Sequence, residues 1–302
     1  MCRLFGYIDK KMNQKQRLNL TNIMGWKSEC QGPHSWGLYT LSDKNVESFD
    51  KGLGAFKGYL HSKKSNEIKQ DIRSAKIVLG HTRQATHGDV KIKNCHPFEQ
   101  GELILAHNGV ITGHDRYKRE TTIMPKGETD SETVLCWLVS QGKRVVDLLD
   151  VDSHYDSFEV YNRRSKIVYL VCKGRELYVA STDKGVFWSS EHVILETSYQ
   201  ATFGVKPKIQ KIEDGVFAVT QTGVTAIKKA KIEPVAYQTT YQNTWERPDY
   251  ALPKARQKHW WDYGKFEDPK EEKNEFVSAN PNDEDEYADD VQPVDEFIKG
   301  GK

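Results

Sequence analysis

Up to about residue 230 the apolar residues fall in short runs whose spacing predicts strands more often than helices. Arg3 to Ile8 reads as a short strand at the N-terminus. Further strand-like runs, rich in β-branched and other apolar residues, lie at Lys76–Gly80, Leu103–His107, Lys166–Cys172, Leu177–Ala180, Gly215–Val219 and Gly223–Ile227. Several are separated by hairpin-length turns. Helical spacing recurs at Leu18, Ile23 and Met24, and more clearly over Ser131–Gln141, where Val134, Leu135, Leu138 and Val139 make one apolar face behind Asp130. Many strands in antiparallel order with few helices predict an α+β fold. No internal repeat is visible.

Beyond residue 230 the alternating runs give way to Pro, Gln, Asn, acidic residues and tryptophans. Between Glu267 and Glu296 there are 13 acidic residues against two lysines, a formal −11, which leaves +12 on the rest of a chain whose total is +1. The near-neutral sum therefore combines a basic body with an acidic tail. Residues 231–266 form an aromatic-rich extension that holds Trp245, Trp260 and Trp261, and the composition of 267–302 is that of a disordered, solubilising tail.

A length of 302 residues allows one large or two medium domains with a real core, and 37% hydrophobic with 11% aromatic residues excludes wholesale disorder. The charge balance argues against a dedicated nucleic-acid binder. No run reaches the roughly 18 apolar residues of a membrane helix, and no signal-peptide region is present, so a cytoplasmic protein is expected. The five cysteines, Cys2, Cys30, Cys95, Cys136 and Cys172, are odd in number and widely spaced, which predicts reduced thiols rather than a disulfide framework or a zinc ribbon.

Four segments carry candidate chemistry. Removal of Met1 would leave Cys2 with its own α-amine beside its thiol. An α-amine has a reference pKa of about 7.7 to 8.0, so near neutral pH it can take the thiol proton and serve as general base. The bland alternative is a small apolar residue starting a strand. The second segment is Gly80–Gly88, continued by Asn94 to Pro97. A strand ending in Arg83, with Thr86, His87 and His96 close behind, suits a carboxylate, since arginine offers a bidentate fork. The same stretch supplies a metal reading through His81, His87, Cys95, His96, His107 and His114, but their spacings fit no common ligand pattern. Third, the apolar strand Leu103–His107 runs into Asn108–Gly109. That pair is either a hairpin turn or an oxyanion hole built from the Asn108 amide and the Gly109 N–H. Fourth, Gly127–Thr133 opens a helix that Thr129 or Asp130 would cap, and an acid there can also bind an ammonium ion.

Taken in order, Cys2–Gly6, Gln31–Gly32 with Ser35–Gly37, His81–Arg83 with Ala85–Gly88, Asn94 with His96–Pro97, His107–Gly109 and Thr129–Glu132 resemble the glutaminase domain of class II glutamine amidotransferases. Leu177–Asp183 and Ile212–Gly215 are similar to later pieces of the same family. The resemblance runs from about residue 2 to 228, which marks 1–230 as the glutaminase domain. It implies the four-layer αββα sandwich of an N-terminal nucleophile hydrolase, with two antiparallel sheets between helices. It also implies that Cys2 is the nucleophile, that Asn108 and Gly109 form the oxyanion hole, that Arg83, Thr86 and His87 bind the α-carboxylate of glutamine, and that Asp130 binds its α-ammonium. A γ-glutamyl thioester, ammonia and then glutamate would follow. No metal or organic cofactor is required.

Two positions depart from the family pattern: Gln84 stands where a tryptophan or tyrosine is usual, and His34 where an aspartate is common. Both lie near the expected pocket entrance and leave room for another γ-glutamyl amide as substrate. No S-G-G-x-D-S pyrophosphate loop, phosphoribosyl-pyrophosphate motif or G-x-x-x-x-G-K-[ST] loop is found, and Gly52–Gly58 has the wrong spacing for a dinucleotide loop. The resemblance therefore implies a stand-alone glutaminase that passes ammonia to a separate acceptor enzyme, with no membrane or nucleic-acid partner. Stand-alone domains of this kind are also encoded by tailed bacteriophages, so a viral source fits the same reading. The competing non-enzymatic reading is a binding protein that keeps the fold.

Overall fold

The computed structural model describes residues 2–86, 88–153 and 155–230. The extension and acidic tail assigned to 231–266 and 267–302 lie outside the described residues. In chain order the elements begin with β1 (Arg3–Asp9), α1 (Gln14–Glu29), β2 (Ser35–Ser42), β3 (Glu47–Leu53), α2 (Ser65–Ser74) and β4 (Ala75–Arg83). Next come β5 (Phe98–Gln100), β6 (Leu103–Asn108), α3 (His114–Glu120), α4 (Asp130–Ser140), β7 (Asp156–Asn162) and β8 (Ile167–Lys173). The described residues end with β9 (Tyr178–Ser181), β10 (Gly185–Ser189), α5 (His192–Phe203), β11 (Gln210–Lys211), β12 (Gly215–Thr220) and β13 (Gly223–Lys229).

The strands form two sheets. One has the order β11-β9-β10-β1-β4-β2-β3 and the other β13-β12-β8-β7-β6-β5, with antiparallel pairing between neighbouring strands. Strand alternation explains how they stack. Leu4 and Ile8 of β1 point into a core shared with Ile104, Ala106, Leu170 and Val219 of the second sheet. Phe5 and Tyr7 point the other way, against Leu20 and Met24 of α1, Ile68 and Ile72 of α2, and Leu195 of α5. On the far side, Leu105, Val160 and Val171 pack against Tyr117 of α3 and Val134, Leu135 and Leu138 of α4. The result is the α+β, αββα arrangement implied by the motifs. Both faces of the central strands are covered, which is why β1 and β6 read as almost continuous apolar runs.

The predicted strands are present, most with shifted or longer ends. Strands β2, β3, β5, β7, β10 and β11 and helices α2, α3 and α5 were not anticipated from spacing. Gly37 of β2 shows how tightly the layers close on the site, because a Cβ there would overlap the carbonyl oxygen of His96. A salt-bridged clamp joins the sheets at the opposite end: Arg163, in the turn after β7, meets Glu47 at 2.7 Å and Glu99 at 2.8 Å. No described helix is long and apolar enough to cross a membrane.

Candidate active site

The antiparallel pairing of Arg3 with Thr82 sets the start of β1 beside the end of β4. Cys2 therefore faces the residues that follow Arg83. Its thiol is held by main chain: the Gln84 N–H donates to Sγ at 3.3 Å, and the S–H donates to the Gln84 carbonyl at 3.5 Å. Burial pushes the Cys2 thiol above its ordinary value, opposed by the Gln84 N–H and by the Arg83 and Arg175 cations. The thiol is thus protonated at neutral pH and needs a base before it can attack. Behind it, Arg3 donates to the Cys2 carbonyl at 3.0 Å and also meets Gln31 and Glu191.

Arg83 is buried, and its guanidinium donates to the carbonyls of Asp89 at 3.1 Å and Gly88 at 3.3 Å. The loop after β4 thus curls round this side chain. His34, at one of the two departures, accepts the Ala85 N–H on Nδ1 at 3.0 Å, so it anchors that loop where a carboxylate could do the same. Thr86 is exposed on the loop, and His87 lies outside the described residues. Buried Asn94 closes the loop by donating to the Asp89 carbonyl at 2.9 Å.

On the second sheet, β6 ends at Asn108. The hairpin alternative fails here, because the next strand in the chain is β7, after α3 and α4. The main chain beyond Gly109 is instead captured by two carboxylates: Asp156 Oδ1 accepts the Val110 N–H at 3.1 Å and Asp130 Oδ2 accepts the Ile111 N–H at 2.8 Å. The Asn108 amide donates to Ser190 Oγ at 3.4 Å. Ser190 is bonded to Leu4 in both directions, its Oγ accepting the Leu4 N–H and its own N–H reaching the Leu4 carbonyl, each at 2.9 Å. The carboxamide is thereby tied to the strand that Cys2 begins. A Cβ on Gly109 would overlap Asp156 Oδ1.

Asp130 is the first residue of α4. Thr129 is the cap, its Oγ1 accepting the Glu132 N–H at 3.2 Å, which leaves the Asp130 carboxylate to Ile111 and to the Ser131 N–H at 2.8 Å. His81, His96 and His107 are buried, whereas His114 is partly exposed. His81 donates to the His107 carbonyl at 3.1 Å and lies 4.1 Å, ring to ring, from His96. Burial pushes His81 down to about 3 and His96 well below its ordinary value, so both are neutral. His96 also packs on Phe98, under the site rather than open to it. Among the described residues no three His, Cys, Asp or Glu side chains converge as metal ligands.

Cys2, Arg83, Asn108, Gly109 and Asp130 thus come from four segments to one end of the sandwich. A thiol, a guanidinium, a carboxamide donor and a carboxylate in that arrangement suit attack on an amide whose substrate carries both charges of an amino acid. Sequence reasoning missed Asp156 and Ser190. Each is a polar residue at the end of a strand, fully buried or nearly so, and only the pairing of strands reveals what it touches.

A family model described as glutamine amidotransferases class-II matches residues 1–204. A glutamine–fructose-6-phosphate aminotransferase of Helicobacter pylori is 26% identical over 208 residues, covering 65% of this chain and 33% of that protein. The putative glutamine amidotransferase YafJ of Escherichia coli is 35% identical over 117 residues, 36% of this chain and 43% of its own. The matches therefore span less than half the length of these relatives. In fold, the chain is similar to a solved structure described as the allosteric regulatory enzyme of purine biosynthesis, with a TM-score of 0.59 at 15% identity over 76% of this chain and 50% of that one.

Proposed function

The chain belongs to the class-II glutamine amidotransferases, and we propose that it hydrolyses the side-chain amide of glutamine at Cys2, giving glutamate and ammonia. One observation carries the reading: the Cys2 thiol is held at the head of a central strand by the Gln84 main chain, with the Asn108 carboxamide tied to the same strand through Ser190.

With Met1 removed, the Cys2 amine takes the thiol proton and the sulfur attacks the amide carbon of glutamine. The Asn108 amide and the Gly109 N–H receive the developing oxyanion. Its collapse expels ammonia, protonated by the Cys2 ammonium, and leaves a γ-glutamyl thioester. Water, deprotonated by the same amine, then releases glutamate. Arg83, Thr86 and His87 take the α-carboxylate, and Asp130, whose carboxylate has lone pairs beyond those used by Ile111 and Ser131, takes the α-ammonium. His96 backs this end of the pocket as a neutral ring. The domain responsible is residues 1–230. Ammonia passes to an acceptor enzyme on a separate polypeptide, in the cytoplasm.

The test is release of glutamate and ammonia from glutamine by purified protein whose N-terminal mass is determined, with Cys2→Ala as control. Hydrolysis by wild type and none by Cys2→Ala supports the reading. A free N-terminal Cys2 with no glutamate formed overturns it, and a panel of γ-glutamyl amides then identifies any substrate that Gln84 and His34 admit in place of glutamine.

A further inference from the structure

Asp156 and His107 take no part in the steps above, yet they lie directly beneath the turn that supplies the oxyanion donors. Asp156, at the start of β7, is fully buried. Its Oδ1 accepts the Val110 N–H at 3.1 Å and stands 2.9 Å from His107 Nε2. The His107 ring, in β6, is stacked on Phe158 at 4.4 Å with 14° between the planes. Its Nδ1 is 2.9 Å from Ser131 Oγ, and that hydroxyl is 3.2 Å from Asp130 Oδ1. A continuous run of contacts thus leads from Asp156 through His107 and Ser131 to Asp130.

The direction of these bonds is constrained by chemistry. Asp156 Oδ1 already accepts from Val110, so a proton must lie between it and His107 Nε2, whichever way the Ser131 hydroxyl points. The ring is therefore anchored at both nitrogens, while its main-chain carbonyl is held by His81. The Gly109 backbone rests on this pair so closely that no side chain fits between. The two carboxylates at the ends of the run take the successive N–H groups of Val110 and Ile111.

Resting on the glutaminase reading above, we propose that His107 and Asp156 are positioning residues for the reaction: they fix the direction of the Asn108 and Gly109 donors and lock that turn to Asp130. The oxyanion donors and the ammonium acceptor then move as one piece. Donors misplaced by about 1 Å can cost about a hundredfold in rate, with little effect on ground-state binding.

The experiment compares steady-state glutamine hydrolysis by the full chain, with Cys2 free by mass, in wild type, His107→Phe, Asp156→Ala and Asp156→Asn, with a thermal melt for each. His107→Phe and Asp156→Ala are expected to lower kcat by about 10²-fold with KM within about threefold. Asp156→Asn keeps an acceptor for Val110 and His107, and is expected to return kcat to within about tenfold of wild type. Hydrogen exchange of the peptide spanning Asn108–Thr112 is expected to be slow in wild type and faster in His107→Phe. If Asp156→Ala does not fold, His107→Phe and Asp156→Asn decide the matter. Unchanged kcat in a folded His107→Phe, or a loss carried by KM alone, overturns the proposal, as does exchange at the wild-type rate. Wild type that releases no glutamate despite a free Cys2 overturns the glutaminase reading and this role with it, whereas active wild type with unaffected variants overturns this role alone.

Discussion

Asn94 and Glu128 are paired twice: the Asn94 carbonyl oxygen accepts the Glu128 N–H at 2.8 Å, and its amide donates back to Glu128 Oε2 at 3.1 Å. Asn94 also holds the Asp89 carbonyl that Arg83 grips, and Glu128 lies two residues before Asp130. The pair therefore sets the span between the cation and the anion assigned to the two ends of an amino acid. Glu128 additionally accepts the Asp89 N–H at 3.2 Å and meets Lys93 at 2.7 Å.

Removing the Glu128 side chain should loosen that span without touching the thiol. Glu128→Ala is expected to raise KM for glutamine about five- to tenfold and leave kcat within about twofold, the pattern of lost uniform binding. Lys93, with Asn94 and the Asp89 N–H, holds the Glu128 carboxyl down at about 2. The wild-type latch is therefore ionised through the working range, and KM is expected to show no inflection from Glu128 between about pH 4 and 9. Kinetics at several pH values check both statements.

Glu159 lies between the two sheets, fully buried, with Oε2 accepting the Trp188 N–H at 2.7 Å and burial pushing its carboxyl well above its ordinary value. The folded protein thus keeps a proton that the unfolded chain gives up. Stability from this group is complete below the unfolded carboxyl pKa of about 4.3 and is lost as pH rises toward the folded value. Glu159→Gln removes that loss, so its melting temperature relative to wild type is expected to rise from pH 5 to pH 8. A constant difference across that range would contradict the assignment.

Asp9 is fully buried at the end of β1 and receives Arg17 at 2.7 Å, Lys76 at 2.8 Å and the Met12 N–H at 2.6 Å. Removing the one carboxylate strands a nearly buried guanidinium. Asp9→Ala is expected to cost about 3 kcal/mol in urea unfolding, near the lower end for breaking a buried pair. A loss under about 1 kcal/mol would place this cluster with ordinary surface ion pairs.

The raised Cys2 thiol has an internal comparison in Cys30, which is exposed. Alkylation requires thiolate. In a chain that keeps Met1, iodoacetamide at pH 7 is expected to label Cys30 well before Cys2, and the gap to narrow as pH rises past 9. Peptide mass spectrometry reads both sites in one sample, and faster labelling of Cys2 at pH 7 would contradict the effect of burial.

The central strands and the candidate site residues were legible in the sequence for different reasons. Strands β1, β4 and β6 are buried on both faces, so their apolar runs stand out. β3 and β7 mix polar and apolar residues, and α2 shows only Ile68 and Ile72 as buried anchors, so spacing had little to register. Cys2, Arg83, Asn108, Gly109 and Asp130 were visible because short motifs surround them. Asp156 and Ser190 were not, since their partners lie 46 and 186 residues away in the chain and are brought near only by strand pairing. That Asn108–Gly109 is not a hairpin was likewise beyond local sequence, because it depends on α3 and α4 standing between β6 and β7.

Both bonds that hold the Cys2 sulfur run to the peptide group of residue 84, none to its side chain. The placement of the Cys2 sulfur therefore does not depend on the side chain at that position. Exchange of the Gln84 side chain for another thus leaves both contacts to the sulfur in place, so change at this position and retention of the thiol's setting are separable.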